Sequence, residues 1–139
     1  MKTVFLDANI LFAAALSETG GSRALFLLAE RKVIKIVGSR YALLEAKRNL
    51  QKKNEQALPK FWSLCAELIE LSDEEVDLGF ETTWQPHIIS KDLPILWGAF
   101  QLKVDVLVTL DRKDFMNEKI KKQKFPFKIM TPAELIQSL

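Results

Sequence analysis

Five short segments rich in β-branched and other apolar residues recur along the chain, at positions 2–6, 33–37, 68–71, 104–109 and 127–130. Stretches of helical composition lie between and after them, at 8–16, 23–32, 40–53, 57–67, 93–103 and 132–139. This alternation constrains the fold more than any other feature. Parallel neighbours cannot be joined by a tight turn and need crossover connections, which helices supply. The expected architecture is therefore an α/β fold of three layers, with a central parallel sheet of about five strands between helices. Gly20 and Gly21 mark a loop after the first helix, Gly38 and Ser39 end the second strand, and Pro59 opens the helix over 57–67. The region 73–86 reads as a short helix followed by a loop. No Pro- or Gly-rich linker, low-complexity tract or internal repeat divides the 139 residues, so a single domain over 1–139 is expected.

Composition removes several classes of function. A 48% hydrophobic chain of this length buries one substantial core. Residues 1–6 lack the charged start and long apolar stretch of a signal peptide, and no apolar run approaches the roughly 20 residues that span a bilayer. A cytoplasmic protein without a membrane segment is expected. The single cysteine, Cys65, builds neither a disulfide nor a thiolate cage and reads as a small buried hydrophobe. His87, the only histidine, leaves a His/Cys zinc site short of ligands and reads as a loop residue. There is no phosphate-binding P-loop, no G-x-G-x-x-G and no G-x-S-x-G, so nucleotide-fuelled and serine-hydrolase chemistry lose their support. The net charge of +2 conceals two basic runs, 47–60 and 112–128, and an acidic run, 67–77. Each run alone reads as a solvated helix face, but basic stretches beside an acidic site help to collect a polyanion.

The acidic residues carry the chemistry. Asp7 follows Val4, Phe5 and Leu6, and Asp111 follows the apolar run from Val106 to Leu110. In an open parallel sheet the carboxyl ends of the strands line the ligand crevice, so both carboxylates are expected to face one cleft. Either acid alone also suits a helix cap. Asp92 stands just ahead of the helix that contains Pro94 near its start, where an N-cap is the default role. Glu45 lies within the helix over 40–53, on a face with Tyr41, Arg48 and Lys52, and pairs with Arg48 in the simplest reading.

At Asp7 the sequence resembles a known family. The segment Val4-Phe5-Leu6-Asp7-Ala8-Asn9-Ile10-Leu11 is similar to the opening strand and helix of PIN-domain nucleases, whose first metal-binding aspartate is followed two residues later by a polar Asn or Ser. Lys91-Asp92-Leu93-Pro94-Ile95-Leu96, continued through Asp105-Val106-Leu107-Val108-Thr109-Leu110-Asp111-Arg112-Lys113-Asp114-Phe115, resembles the second half of the same domain. The likeness covers essentially the whole chain. It implies a strand order of 3-2-1-4-5 and a catalytic, metal-binding set of Asp7, Glu45, Asp92 and Asp111, with Glu67 and Glu70 as alternatives to Glu45. It further implies supporting roles for Asn9 and Thr109 in orienting a site carboxylate, and for Asp114 as an additional acid that otherwise reads as a cap or an exposed residue. The implied cofactor is Mg2+ or Mn2+ and the implied substrate is RNA. A small domain of this kind looks most like the toxin ribonucleases of toxin–antitoxin pairs, commonly homodimers neutralised by a small antitoxin protein. RNA-processing members of the family share the same site.

Physical chemistry is consistent with that implication. Four converging carboxylates repel one another and need cations or raised pKa values to coexist. Oxygen-only ligation selects hard ions such as magnesium and manganese. Setting the four proposed ligands aside leaves 14 of 18 acidic residues against 20 basic ones, a surface that attracts phosphate. A haloacid-dehalogenase-like phosphatase requires a second Asp where this chain has Asn9. A response-regulator receiver requires paired acids near the first strand, and these are absent. A PIN-like binding module without catalysis is the remaining alternative. Trp62 and Trp97 read as helix core residues, and Trp84 as the tryptophan exposed enough to stack on a base.

Overall fold

The computed structural model describes residues 1–72 and 75–139; Asp73 and Glu74, at the start of the segment read as helix and loop, lie outside the described residues. The chain opens with β1 (Lys2–Leu6), α1 (Ala8–Leu16) and α2 (Gly21–Glu30), then β2 (Ile34–Ser39), α3 (Arg40–Lys53) and α4 (Leu58–Cys65). It continues through β3 (Leu71–Ser72), α5 (Leu78–Trp84), α6 (Leu93–Gln101) and β4 (Val106–Val108). It closes with α7 (Arg112–Phe115), α8 (Glu118–Lys121), β5 (Lys128–Met130) and α9 (Pro132–Ser138).

The strands form one sheet in the order β3-β2-β1-β4-β5, every pairing parallel, as the sequence motifs implied. Val4, Phe5 and Leu6 are all fully buried, as expected of a central parallel strand covered on both faces, where alternation of polar and apolar residues is lost. The chain leaves β1 toward β2 and β3, then returns to the other side of β1 for β4. Because parallel crossovers are right-handed, this reversal sends the helices that connect β3 to β4 to the opposite face. α1 packs against α2, α3 and α4, and α9 against α2, while α5 packs on α6. Between the carboxyl ends of β1 and β4 the sheet therefore has a topological switch point, the usual crevice of such folds.

Several element ends differ from the sequence reading, for local reasons. Helices expected over 23–32 and 93–103 end at Glu30 and Gln101, because Lys32 and Lys103 adopt left-handed φ values of 61° and 51°. At both places the next amide bonds back across the turn, Val33 N–H to Leu28 C=O and Val104 N–H to Ala99 C=O, which closes a Schellman motif. Glycine is the usual resident there, and lysine leaves no such signal. Ser39 does not merely end β2: its hydroxyl accepts the Ala42 N–H at 3.0 Å and caps α3. β3 is displaced from the expected 68–71, and β4 spans only the middle of the expected 104–109.

Three residues depart from expectation. Trp84 is half-buried rather than exposed, one face of its ring stacked 4.9 Å from Phe125 in a cluster with Phe80 and Phe100. Trp62 is instead the exposed tryptophan, with Lys47 over its ring. Cys65 is half-buried rather than buried, and desolvation pushes its thiol up to about 12, which keeps it unreactive.

Candidate functional site

A cleft of about 250 Å³ opens at the switch point, lined by Asp7, Asn9, Glu45, Asp92, Asp111 and, among others, Lys53. β1 delivers Asp7 and α3 delivers Glu45. Asp92 comes from the turn before α6, and Asp111 from the segment after β4. The four acids singled out in the sequence thus line one cavity. Two details of the expectation change. Asp111 does not follow its strand directly, because β4 ends at Val108 and Thr109 and Leu110 intervene. Asp92 occupies the N-cap position of α6 but makes no capping bond there. Among the described residues, no ion pair joins Glu45 to Arg48.

Asp7 is only 5% exposed and is held from three sides. Its Oδ1 accepts the Ala8 N–H at 2.6 Å, and its Oδ2 accepts the Thr109 hydroxyl at 2.8 Å and the Asn9 amide at 3.3 Å. Asn9 also bonds Thr109 Oγ1 through its amide and takes the Leu110 N–H on its carbonyl, tying α1 to the end of β4. Thr109, fully buried, in turn accepts the Asp111 N–H at 3.1 Å. Asp111 caps α7 by accepting the Asp114 N–H at 2.9 Å.

Asp114 lies closer to the centre of the site than its sequence reading suggested. Carboxylate oxygens of Asp92, Asp111 and Asp114 all lie within 4.8 Å of one another. Lys91 forms an ion pair with Asp114 at 3.6 Å, and its carbonyl accepts the Tyr41 hydroxyl at 3.0 Å.

The electrostatics show the cost of this convergence. Burial pushes the Asp7 carboxyl up to about 6 against the lowering effect of its hydrogen bonds, and the negative charges of Glu45 and Asp111 add to the rise. Burial, then a hydrogen bond with Asp114, pushes Asp92 up to about 8. At Asp114 burial opposes ionisation, yet hydrogen bonding with Asp92 and Asp111 and the Lys91 charge hold it below the usual carboxylate range. The two neighbouring carboxyls thus shift in opposite directions, Asp92 toward its protonated form and Asp114 toward its charged form. Oδ2 of Asp92 is buried without a hydrogen-bond partner among the described residues. Such an atom carries a desolvation cost that a cation would relieve. The donor set is entirely oxygen, and it fits a hard divalent cation.

Asn49, Lys53, Lys91 and Phe12 also line the cleft and were not singled out as site residues in the sequence. Asn49 and Lys53 follow Glu45 by four and eight residues, so helical periodicity from Glu45 was the available signal. The Lys53 ammonium is 5.6 Å from the centre of the Phe12 ring.

By sequence, the chain matches no family model and no curated protein. By structure, it is similar to a chain of VapBC2 from Rickettsia felis bound to a DNA fragment from their promoter, with a TM-score of 0.65 and 24% identity over 91% of this chain and 96% of that one. It is also similar to a chain of VapBC-1 from nontypeable Haemophilus influenzae, with a TM-score of 0.63 and 18% identity over 94% of this chain and 98% of that one. At these identities the likeness is one of fold. The five-stranded parallel sheet in the order 3-2-1-4-5, flanked by helices, is a PIN-like α/β/α architecture.

Proposed function

We propose that the protein is a single-domain, metal-dependent endoribonuclease that acts as the toxin of a toxin–antitoxin pair. The observation that carries this reading is the convergence of Asp7, Asp92 and Asp111 with Glu45 on one cleft, with Asp114 beside them. The VapBC neighbours support the toxin assignment and, with it, a small antitoxin partner; a homodimer and a cytoplasmic location are further parts of the proposal. In this reading Asp7, Glu45, Asp92 and Asp111 hold Mg2+ or Mn2+, and Asp114 widens the site. A bound divalent cation supplies Lewis-acid chemistry, neutralising phosphate charge and activating water for hydrolysis of the phosphodiester bond.

The remaining work falls to the chain's own residues. Asn9 and Thr109 fix Asp7 and the backbone before Asp111 in one orientation. Asp92 carries its proton at neutral pH while Asp114 carries charge, which limits repulsion in the metal-free cleft. Lys53 and Lys91 flank the acids and are placed to meet non-bridging phosphate oxygens of an RNA backbone. The phosphatase alternative loses its second acid to Asn9, whose amide is committed to Asp7 and Thr109.

The test is direct. Purified protein is expected to cleave single-stranded or loop RNA with added magnesium or manganese, to stop with EDTA, and to weaken as salt rises. If manganese binds but no RNA is cut, the chain is a binding module. If RNA is cut but expression leaves growth unimpaired and no small protein partner copurifies, the toxin assignment gives way to RNA processing.

A further inference from the structure

A second cavity, about 850 Å³ in volume, shares no lining residue with the acidic cleft. It runs along the outer edge of the sheet. Met116 and Ile120 bound it on the side of α7 and α8, Glu134 of α9 bounds it on the other, and Lys128, Ile129 and Met130 bring β5 into its wall. β5 is the last strand in the order and pairs only with β4. The Lys128 N–H donates to Asp105 C=O and the Met130 C=O accepts the Thr109 N–H, so these two residues turn their backbone groups toward β4. The period-two alternation of a strand then turns the N–H and C=O of Ile129 outward. An edge of this kind is a template for a further strand.

Charge selects which strand. Arg112, Lys121, Lys124 and Lys128 line the groove. The one carboxylate among the lining residues, Glu134, is occupied by the Thr131 N–H at 2.9 Å. A rim of this sign repels the same edge of a second copy and attracts an acidic segment. Aromatic stacking on bases is not offered, because Phe125 is itself sandwiched between Trp84 at 4.9 Å and Phe127 at 5.4 Å. The apolar surface left to a ligand is aliphatic and thioether, from Met116, Ile129 and Met130.

We propose that this groove docks an extended acidic segment of a partner protein, added to β5 as a sixth strand, with aliphatic side chains of that segment seated over Met116 and Ile129. The proposal goes beyond the nuclease reading and does not depend on it.

The test uses the full chain with three probes: a labelled peptide of alternating glutamate and leucine, its lysine–leucine counterpart, and single-stranded oligouridylate. The acidic peptide is expected to bind, and Lys121→Glu combined with Lys128→Glu to weaken it about tenfold or more. Ile129→Pro removes the outward N–H at an edge position where proline is tolerated, and is expected to weaken binding about fivefold with thermal unfolding unchanged. In the parent protein, binding is expected to slow hydrogen exchange of the Ile129 amide, a readout that stands even if the proline variant fails to fold. The proposal is overturned if both peptides bind alike, if oligouridylate displaces the acidic peptide from the groove, or if Ile129 exchange does not change.

Discussion

The Thr109 hydroxyl donates to Asp7 Oδ2 at 2.8 Å across 102 residues of sequence, and Thr109 Oγ1 itself accepts the Asp111 N–H and the Asn9 side-chain amide. One buried hydroxyl thus holds together the carboxyl ends of β1 and β4. Thr109→Val keeps the shape but leaves the Asp111 N–H without its acceptor and Asp7 without its shortest side-chain donor. A loss of about 2–3 kcal/mol in urea denaturation is expected. Cleavage is expected to fall about 10–100-fold, as when an outer hydrogen-bond partner of a metal ligand is removed. Thr109→Ser retains the hydroxyl and should recover most of both.

The raised carboxyls dictate how stability depends on pH. Asp7 at about 6 and Asp92 at about 8 both stand above the ordinary value of 3.8, so the folded state keeps protons that the unfolded state has already released. Their contribution is fully favourable near pH 4 and is lost as pH rises through about 6 and then about 8. Asp114, held low, works in the opposite sense but only below its ordinary range. In EDTA the denaturation midpoint is therefore expected to be higher at about pH 5 than at about pH 8.5, with Asp7 alone accounting for about 1.4 kcal/mol of that difference. Asp92→Asn should stabilise the metal-free protein at about pH 8.5 and flatten the profile above about pH 6. Stability that climbs between those two pH values would contradict the burial of these groups.

Gly98 lets α6 lie against the sheet. A Cβ there meets Phe5 Cε2 at 2.8 Å and Cζ at 3.0 Å, and Phe5 is fully buried in β1 with no room to retreat. Overpacking of this kind costs about 1–3 kcal/mol, whereas alanine in place of glycine in a helix gains about 1 kcal/mol. Gly98→Ala is expected to lower stability by about 1 kcal/mol net, measured by thermal or chemical unfolding, and to perturb the cleft, since α6 follows directly on Asp92.

Much of this architecture was legible in the residues. The alternation of apolar segments with helical stretches specified the parallel sheet, and β1 and α3 fell where read, because strong local propensity and burial agree there. Asp7 was legible because it stands at the end of an unbroken apolar strand. Helix ends were not, since Lys32 and Lys103 take left-handed positions without the glycine that usually marks them. Asp114 and Lys91 were under-read for a different reason. Their ion pair joins the turn before α6 to α7, and a contact made by tertiary packing leaves no periodic trace in the chain. Trp84 misled because its polar sequence neighbours say nothing of Phe125, which arrives from 41 positions later.

The most direct measurement is a calorimetric titration of manganese into the metal-free protein and into Asp92→Asn at about pH 7.5, followed by RNA cleavage assays on the same samples. The parent is expected to bind manganese with release of a proton, seen as a binding enthalpy that varies with the ionisation heat of the buffer, because Asp92 is protonated near neutrality and must give up its proton to become a ligand. Asp92→Asn is expected to bind about tenfold more weakly or worse, without that proton, and to leave RNA intact. If Asp92→Asn binds manganese and cuts RNA as the parent does, the acidic cleft is not the catalytic centre.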